Sequence, residues 1–342
     1  MSSKLLSVPI VDLSPFTSGG DLESRKRAAR ELAEKGHKNG SVGISGHGVP
    51  SDIHEKAFQI TEKLFDLPYE DKMKAPHPDG YVPHRGYSGI AKEQGAAKTA
   101  LETDDEAQKA AIMKASDYKE SYEIGSEENK VQYNIWMSED VLPGFRTFMT
   151  DFYWSLNKAA NAILEAIMMS LDLTEEEAES MSKIHTGHDN QLRLLHYPPI
   201  SPEMLKNEAI GRLGAHTDFS TFTLLWQDVQ SGLEFGDRET GDFMPAIAKE
   251  GVVYMNIGDM GQRISNGFYP SAIHRVVIAG KDTGEVTPAR YSIPFFVAPF
   301  PEGLVEPQPS LVASHGQRVY EPITFAAYCE KMMKATQLIP DE

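Results

Sequence analysis

The stretch GRLGAHTDFSTFTLLWQD, Gly211 to Asp228, sets a histidine and an aspartate two positions apart in a run of β-branched and aromatic residues. Such runs favour strands, whose side chains alternate between two faces. On that reading His216, Asp218, Ser220, Phe222, Leu224 and Trp226 share one face, and Thr217, Phe219, Thr221, Thr223 and Leu225 share the other. Imidazole and carboxylate are costly to bury without a partner, and both ligate metal ions. The tripeptide alone is not diagnostic. With 50 acidic residues among 342, roughly one or two of the 11 histidines acquire an acid two places on by chance. His77 and Asp79 form the other such pair, and their Pro-rich loop reads as a surface turn.

The residues downstream set His216 and Asp218 apart. His274 opens a further β-type run in NGFYPSAIHRVVIAG, and ARYSIPFF then alternates Arg290 and Ser292 onto one strand face. Two histidines and one carboxylate leave adjacent positions open on a non-haem Fe(II), where O2 and a co-substrate bind. Arg290 offers a planar two-pronged donor for a carboxylate, with the Ser292 hydroxyl beside it. An open iron and a carboxylate clamp together are what a 2-oxoglutarate site requires. His185 and His188, in KIHTGHDNQ, look like a second metal pair but read as loop or rim. Asn256, Asp259, Asn266 and Ser271 read as makers of turn and supporting hydrogen bonds.

These side chains need a framework. From Gln191 to Phe300 short β-type runs are separated by turns, the pattern of an antiparallel sandwich or barrel. The expected fold is mixed α/β (α+β): a jelly roll of about eight strands, flanked by N-terminal and central α-helices. Helices are expected over Leu22–Lys38, Ser51–Leu67 with Ser51 as N-cap, Asp151–Leu171 and Thr174–Lys183. Residues 75–89 read as irregular loop, and Lys92–Lys114 as an exposed helix or a mobile segment. One domain is expected over 1–342: a helix/strand region 1–120, the jelly-roll core with central helices 121–305, and a helical segment 306–342.

Composition narrows the partners. The net charge of −17, from 33 basic against 50 acidic residues, repels phosphate backbones and anionic membranes. A single cysteine, Cys329, permits no intrachain disulfide and no cysteine-based metal cluster. The start, MSSKLLSVPIVDLSPF, has too short an apolar run for a secretory signal, and Asp12 interrupts it early. A cytoplasmic chain acting on a small molecule is expected, with no nucleic acid, membrane or obligate protein partner.

HTD, NIGD, SNGFYPSAIHRV and RYS together resemble the isopenicillin N synthase-like branch of the Fe(II)/2-oxoglutarate oxygenases. VPIVDL, GSVGISGHGVP, LFDLPYEDKMK and HRGYSG resemble that branch's N-terminal region, so the likeness spans nearly the whole chain. It implies a double-stranded β-helix with iron at one mouth. By matching positions, His216, Asp218 and His274 would be the ligands, and Arg290 and Ser292 would hold the distal carboxylate of 2-oxoglutarate. Tyr197, in QLRLLHYPP, matches an aromatic that contacts co-substrate or substrate, while His196, Leu195, the SGHG at Ser45–Gly48 and Gly261 depart from the branch's pattern. Arg193 shares Tyr197's strand parity and is expected in the pocket. Phe222, Leu224, Tyr254 and Phe296 have the parity for its wall, with Tyr87 and Tyr122 reaching the mouth.

The resemblance implies oxidation of a small organic molecule with Fe(II), 2-oxoglutarate and O2, releasing succinate and CO2. Hydroxylation is the default outcome. Fungal-type metabolite-tailoring relatives also desaturate or expand rings, including aromatic ones. Two other readings stay open: an oxidase of the same fold that uses no 2-oxoglutarate, and a metal-binding jelly roll without turnover.

Overall fold

The runs after Gln191 pair as antiparallel strands, and segments from the first third of the chain extend their sheet. The computed structural model describes residues 7–80, 82–90, 116–206, 210–230, 232–278 and 285–335. Among them an eight-stranded sheet has the order β1 (Ile10–Asp12), β2 (Ser41–Ser45), β12 (Val252–Ile257), β9 (Phe222–Gln227), β14 (Arg290–Val297), β6 (Gln191–Tyr197), β5 (Glu120–Ile124), β3 (Gly86–Ser88). A four-stranded sheet has the order β11 (Phe243–Pro245), β10 (Leu233–Gly236), β13 (His274–Val276), β8 (Leu213–His216). Two minor pairs join β4 (Ser116–Asp117) to β7 (Ile210–Gly211), and β15 (Leu304–Val305) to β16 (Ile323–Thr324).

Alternation along the central strands builds a different apolar cluster on each face of the large sheet. On one, Leu192, Leu194, Phe222, Leu224, Trp226, Val253, Met255, Ile293 and Phe295 pack with the buried stripe of the helix Phe145–Ser170, including Phe152, Leu156, Ile163 and Ile167. On the other, Leu195, Tyr197, Leu225 and Tyr254 meet Leu233, Phe235, Met244 and Val276 of or beside the smaller sheet. Each fully buried aliphatic or aromatic side chain contributes about 1.5–3 kcal/mol through lost water contact. The first cluster fastens the helices to the sheet. The second is the interior of the jelly roll, and the chemistry-bearing residues lie along it.

Local signals explain most element ends. Asp21 caps the helix Leu22–Gly36 by accepting from the Ser24 amide at 2.8 Å. Thr174 and Glu177 form a reciprocal capping box at the helix Glu175–Lys183. Four expectations need correction. Ser51 is the first helical residue of Ser51–Phe65, and Pro50 stands at its cap. Within the Gln191–Phe300 span expected to hold β-type runs, the segment QRISNG forms no strand: Asp259–Ile264 is helical. Residues 75–89 include β3, whose Tyr87 bridges to Pro76. The stretch around His216 is two strands in two different sheets, joined by a turn over 217–221. The expectation for Lys92–Lys114 lies outside the described residues.

Candidate metal centre

Antiparallel pairing of β8 with β13 sets His216 directly opposite His274, and their rings lie 4.3 Å apart. Asp218 sits just beyond β8 in the turn. Its Oδ1 is 3.8 Å from His216 Nε2 and 3.9 Å from His274 Nε2. The three donor atoms all lie within 4.8 Å of one another, within reach of a single ion.

The remaining atoms of each side chain are committed elsewhere. His216 Nδ1 donates to the Gly214 carbonyl at 2.8 Å, and His274 Nδ1 donates to that of Ala272 at 3.2 Å. Each ring is thereby fixed as the tautomer whose Nε2 lone pair faces Asp218. Asp218 Oδ2 accepts from Thr223 Oγ1 at 2.6 Å and from Asn256 Nδ2 at 2.7 Å, which leaves Oδ1 toward the imidazoles. Thr223 and Asn256 are cross-strand partners on β9 and β12. The donor set therefore fits a ferrous ion: two neutral nitrogens and one carboxylate oxygen, with the supporting hydrogen bonds made by the protein.

Electrostatics agree with the geometry. Burial, reinforced by His274, holds His216 well below the ordinary histidine range, so it is neutral at physiological pH. Burial alone would raise Asp218, but His274, His216 and the bonds from Thr223 and Asn256 outweigh it and keep the carboxylate ionised. The turn is held by backbone bonds to Asp218 O from Asp259 N (2.8 Å) and to Thr221 O from Gly258 N (3.0 Å). A Cβ on Gly258 would stand 2.1 Å from the Ser220 carbonyl oxygen, so this close approach requires glycine. Asp259 in turn accepts from Ser271 Oγ and Tyr328 Oη, at 2.8 and 2.7 Å. Asn266 has φ 52° and bonds instead to the Gln317 carbonyl and the Val319 amide.

Further along the same interior face, Arg290 is fully buried, donating to Ser292 Oγ at 3.1 Å and Gln227 Oε1 at 3.0 Å. Its guanidinium carbon is 5.0 Å from the Tyr197 ring, the cross-strand neighbour on β6. Arg290 Nε has no hydrogen-bond partner among the described residues, an orphaned donor suited to a guest carboxylate.

The other expected pocket residues divide by face. Phe296 pairs with Gln191 and Thr223 on the interior face, and the Arg193 guanidinium lies 5.8 Å from its ring. Arg193 pairs with buried Glu123 at 2.5 Å and donates to His84 Nε2 at 2.9 Å. His84 Nδ1 continues that chain to His77 at 2.6 Å, so His77 is tied to this network rather than standing in a free surface turn. Tyr254 joins the interior cluster near Phe235, whose ring is 5.8 Å from His274.

Phe222 and Leu224 do not line this face. The turn carries the chain from one sheet to the other, so alternation restarts at β9 and turns both toward the helices, while Thr223, Leu225 and Gln227 face inward. Tyr87 and Tyr122 likewise pair with each other and with Leu194 on the helical side. There Tyr87 donates to Glu120, and Tyr122 to the Ile135 carbonyl, each at 2.5 Å. His185 is not at a rim: it is buried, donating through Nδ1 to Met181 O and meeting Thr221 Oγ1 through Nε2, each at 2.7 Å. His188 is partly exposed and meets Ser126 Oγ at 3.0 Å.

Three residues near the site carry no recognisable signal in the sequence. Thr223 falls on the opposite face when strand parity is counted from His216. Buried Lys119 stands close enough for its charge to disfavour protonation of His216. Buried Arg212 lies beside Tyr197. Contacts made only in the folded chain reveal them.

Comparison with known proteins agrees with this geometry. Residues 8–139 match the family described as non-haem dioxygenase in morphine synthesis N-terminal, and residues 188–299 match the 2OG-Fe(II) oxygenase superfamily. The 2-oxoglutarate-dependent dioxygenase htyE of Aspergillus rugulosus is 34% identical over 319 residues, covering 92% of this chain and 94% of its own. The 2-oxoglutarate-dependent dioxygenase frbA of Dothideomycetidae sp. is 31% identical over 313 residues, 90% of each chain. A full-length Neurospora crassa protein, crystallised in complex with alpha-KG and thymine, superposes with TM-score 0.83 at 31% identity, covering 99% of both chains. Among the described residues no helix is long and apolar enough to cross a membrane. With its jelly-roll interior and convergent His-Asp-His set, the chain belongs to the 2OG-Fe(II) oxygenase superfamily and is a 2-oxoglutarate-dependent dioxygenase.

Proposed function

We propose that His216, Asp218 and His274 hold the iron, that Arg290 and Ser292 clamp the distal carboxylate of 2-oxoglutarate beside Tyr197, and that the enzyme hydroxylates a small organic substrate. The observation that carries this reading is the pattern of leftover donors. Both Nε2 atoms and one Asp218 oxygen converge while every other polar atom of the three is occupied. When bound there, ferrous iron with 2-oxoglutarate and O2 supplies the oxidising power for attack on a C–H bond, with succinate and CO2 as co-products.

The residues do the rest. Thr223 and Asn256 hold the Asp218 carboxylate in one orientation. Arg290 fixes the far end of the co-substrate by charge and hydrogen bonding, and Leu225, Phe235 and Tyr254 keep that part of the interior dry. Arg193 and Phe296 form the substrate edge: a guanidinium braced by Glu123 beside an aromatic face suits a flat molecule with hydrogen-bond acceptors. The thymine held by the Neurospora relative has that shape, and an aromatic metabolite is the substrate class we favour. The net charge of −17 supports a chain acting in the cytoplasm on free small molecules, without nucleic acid, membrane or obligate protein partner. The large sheet takes strands from both the first third and the jelly-roll segment, which supports one domain over 1–342.

The test is anaerobic addition of 2-oxoglutarate to the Fe(II) protein, followed by aerobic assay against candidate aromatics. A visible charge-transfer band and substrate-dependent succinate release are expected. Oxygen uptake indifferent to 2-oxoglutarate would favour the oxidase reading. Iron binding without either signal would favour the non-catalytic one.

A further inference from the structure

We infer that Arg212 is a second anchor for the distal carboxylate of 2-oxoglutarate, working beside Arg290. The inference rests on the reading of Arg290 and Ser292 as the carboxylate clamp and extends it. Arg212 lies in the short connection between β7 and β8 that leads to His216. It is 3% exposed, and its guanidinium carbon is 5.6 Å from the Tyr197 ring. Arg290 is 5.0 Å from the same ring. Two guanidinium groups therefore pack against one phenol inside the jelly roll.

Neither arginine is closed by the described residues. Arg212 Nη2 donates to the Pro288 carbonyl at 2.8 Å, which ties the head group to the start of β14. Its Nε and Nη1, like Arg290 Nε, have no hydrogen-bond partner among the described residues. Buried donors are ordinarily satisfied. Arg275 shows what a structural arginine does in this fold, with its Nε on Glu234 at 2.7 Å.

Charge points the same way. Among the described residues, the carboxylate whose field reaches both arginines is Asp228. Its oxygens already accept from the Tyr291 amide at 2.6 Å and the Gln230 amide at 2.9 Å. Burial first, then the like charge of Arg290, push Arg212 down to about 10, so it is still a cation at neutral pH. Among the described residues, two buried cations against one carboxylate leave a positive excess, and a carboxylate arriving between them would supply the missing charge and the acceptors. The other end of 2-oxoglutarate, its 2-oxo acid, has no part in this contact.

That asymmetry gives the experiment. Calorimetry under argon measures binding of 2-oxoglutarate and of 2-oxobutyrate, which lacks the distal carboxylate, to Fe(II)-loaded wild type, Arg212→Gln, Arg212→Lys and Arg290→Gln. Arg212→Gln is expected to weaken 2-oxoglutarate about tenfold and to leave 2-oxobutyrate unchanged, as loss of a charge-assisted contact to one carboxylate requires. Arg212→Lys keeps the charge and most of the bulk, and should lose about threefold on 2-oxoglutarate alone. It carries the same comparison if the glutamine variant does not fold. Equal weakening of both ligands, or of neither, in the Arg212 variants overturns the inference. Unchanged 2-oxoglutarate binding in Arg290→Gln overturns the clamp reading itself, a distinct result.

Discussion

Two buried clusters of histidine and carboxylate lie on opposite faces of the large sheet, and they are built to opposite ends. On the helical face, Glu120 Oε2 accepts from Lys72 Nζ at 2.8 Å and from the Tyr87 hydroxyl, and Oε1 accepts from His196 Nδ1 at 2.7 Å. Every arm of that carboxylate is taken. On the interior face, Asp218 has one oxygen taken twice and the other directed at two imidazole Nε2 atoms, 3.8 and 3.9 Å away, beyond hydrogen-bond distance. Both carboxylates are held ionised by their partners despite burial. The difference is completeness. A cluster that satisfies itself cements the fold, and one that leaves convergent lone pairs over is suited to an ion.

Removing the central acid from each cluster should therefore give opposite results. Asp218→Ala is expected to lower Fe(II) affinity by on the order of a thousandfold, well beyond the roughly 10- to 100-fold typical of losing a supporting hydrogen bond. Succinate release should vanish with it. Chemical denaturation of the metal-free variant should stay close to wild type, because the deletion removes a buried charge whose desolvation offsets the two hydrogen bonds lost. Next in size is Glu120→Ala. It strands the Lys72 ammonium, the Tyr87 hydroxyl and the His196 ring, and should cost about 3–5 kcal/mol in urea unfolding. Its iron affinity should stay within about twofold of wild type, since Glu120 has no contact with the metal ligands. Equal loss of iron affinity in the two variants would erase the distinction drawn between the clusters.

How much of this is legible in the sequence depends on what each signal rests on. His216, Asp218, His274, Arg290 and Ser292 are readable because their residue types are uncommon in apolar strands and their order along the chain matches a family pattern. Apolar periodicity locates the long helix, although it begins at Phe145 rather than Asp151. Side-chain direction across a turn is not readable. Five residues between β8 and β9 move the chain from one sheet to the other, so parity carried through from His216 sends Phe222 and Leu224 to the wrong face and misplaces Thr223. Tyr87 and Tyr122 fail for a related reason: their face is set by pairing through β5 to β6, a long-range register that no local pattern contains. His185 escapes because a polar local sequence says nothing of burial created by neighbouring elements.

His185 sharpens the comparison with the smallest of these effects. It is a third arrangement, a single imidazole closed on both sides. Nδ1 donates to the Met181 carbonyl, so the ring is neutral and Nε2 accepts from the Thr221 hydroxyl in the Asp218 turn. Burial pushes its pKa down to about 4, from about 6.5 in the unfolded chain. Between those values the unfolded chain binds a proton that the folded one refuses, so stability is whole above pH 6.5 and falls as pH drops toward 4. The loss from this one group reaches about 3 kcal/mol. His185→Gln keeps polar contacts at that position without a titrating ring, so its stability gap to wild type should shrink steadily from about pH 7.5 to about pH 4.5. His47, also buried and pushed down to about 4, leaves a residual slope in both proteins. Urea midpoints of the metal-free proteins across that range provide the check. Parallel pH profiles would mean that the closed imidazole is not a source of acid sensitivity, and that closure and openness of the histidines are not what separates the two kinds of site.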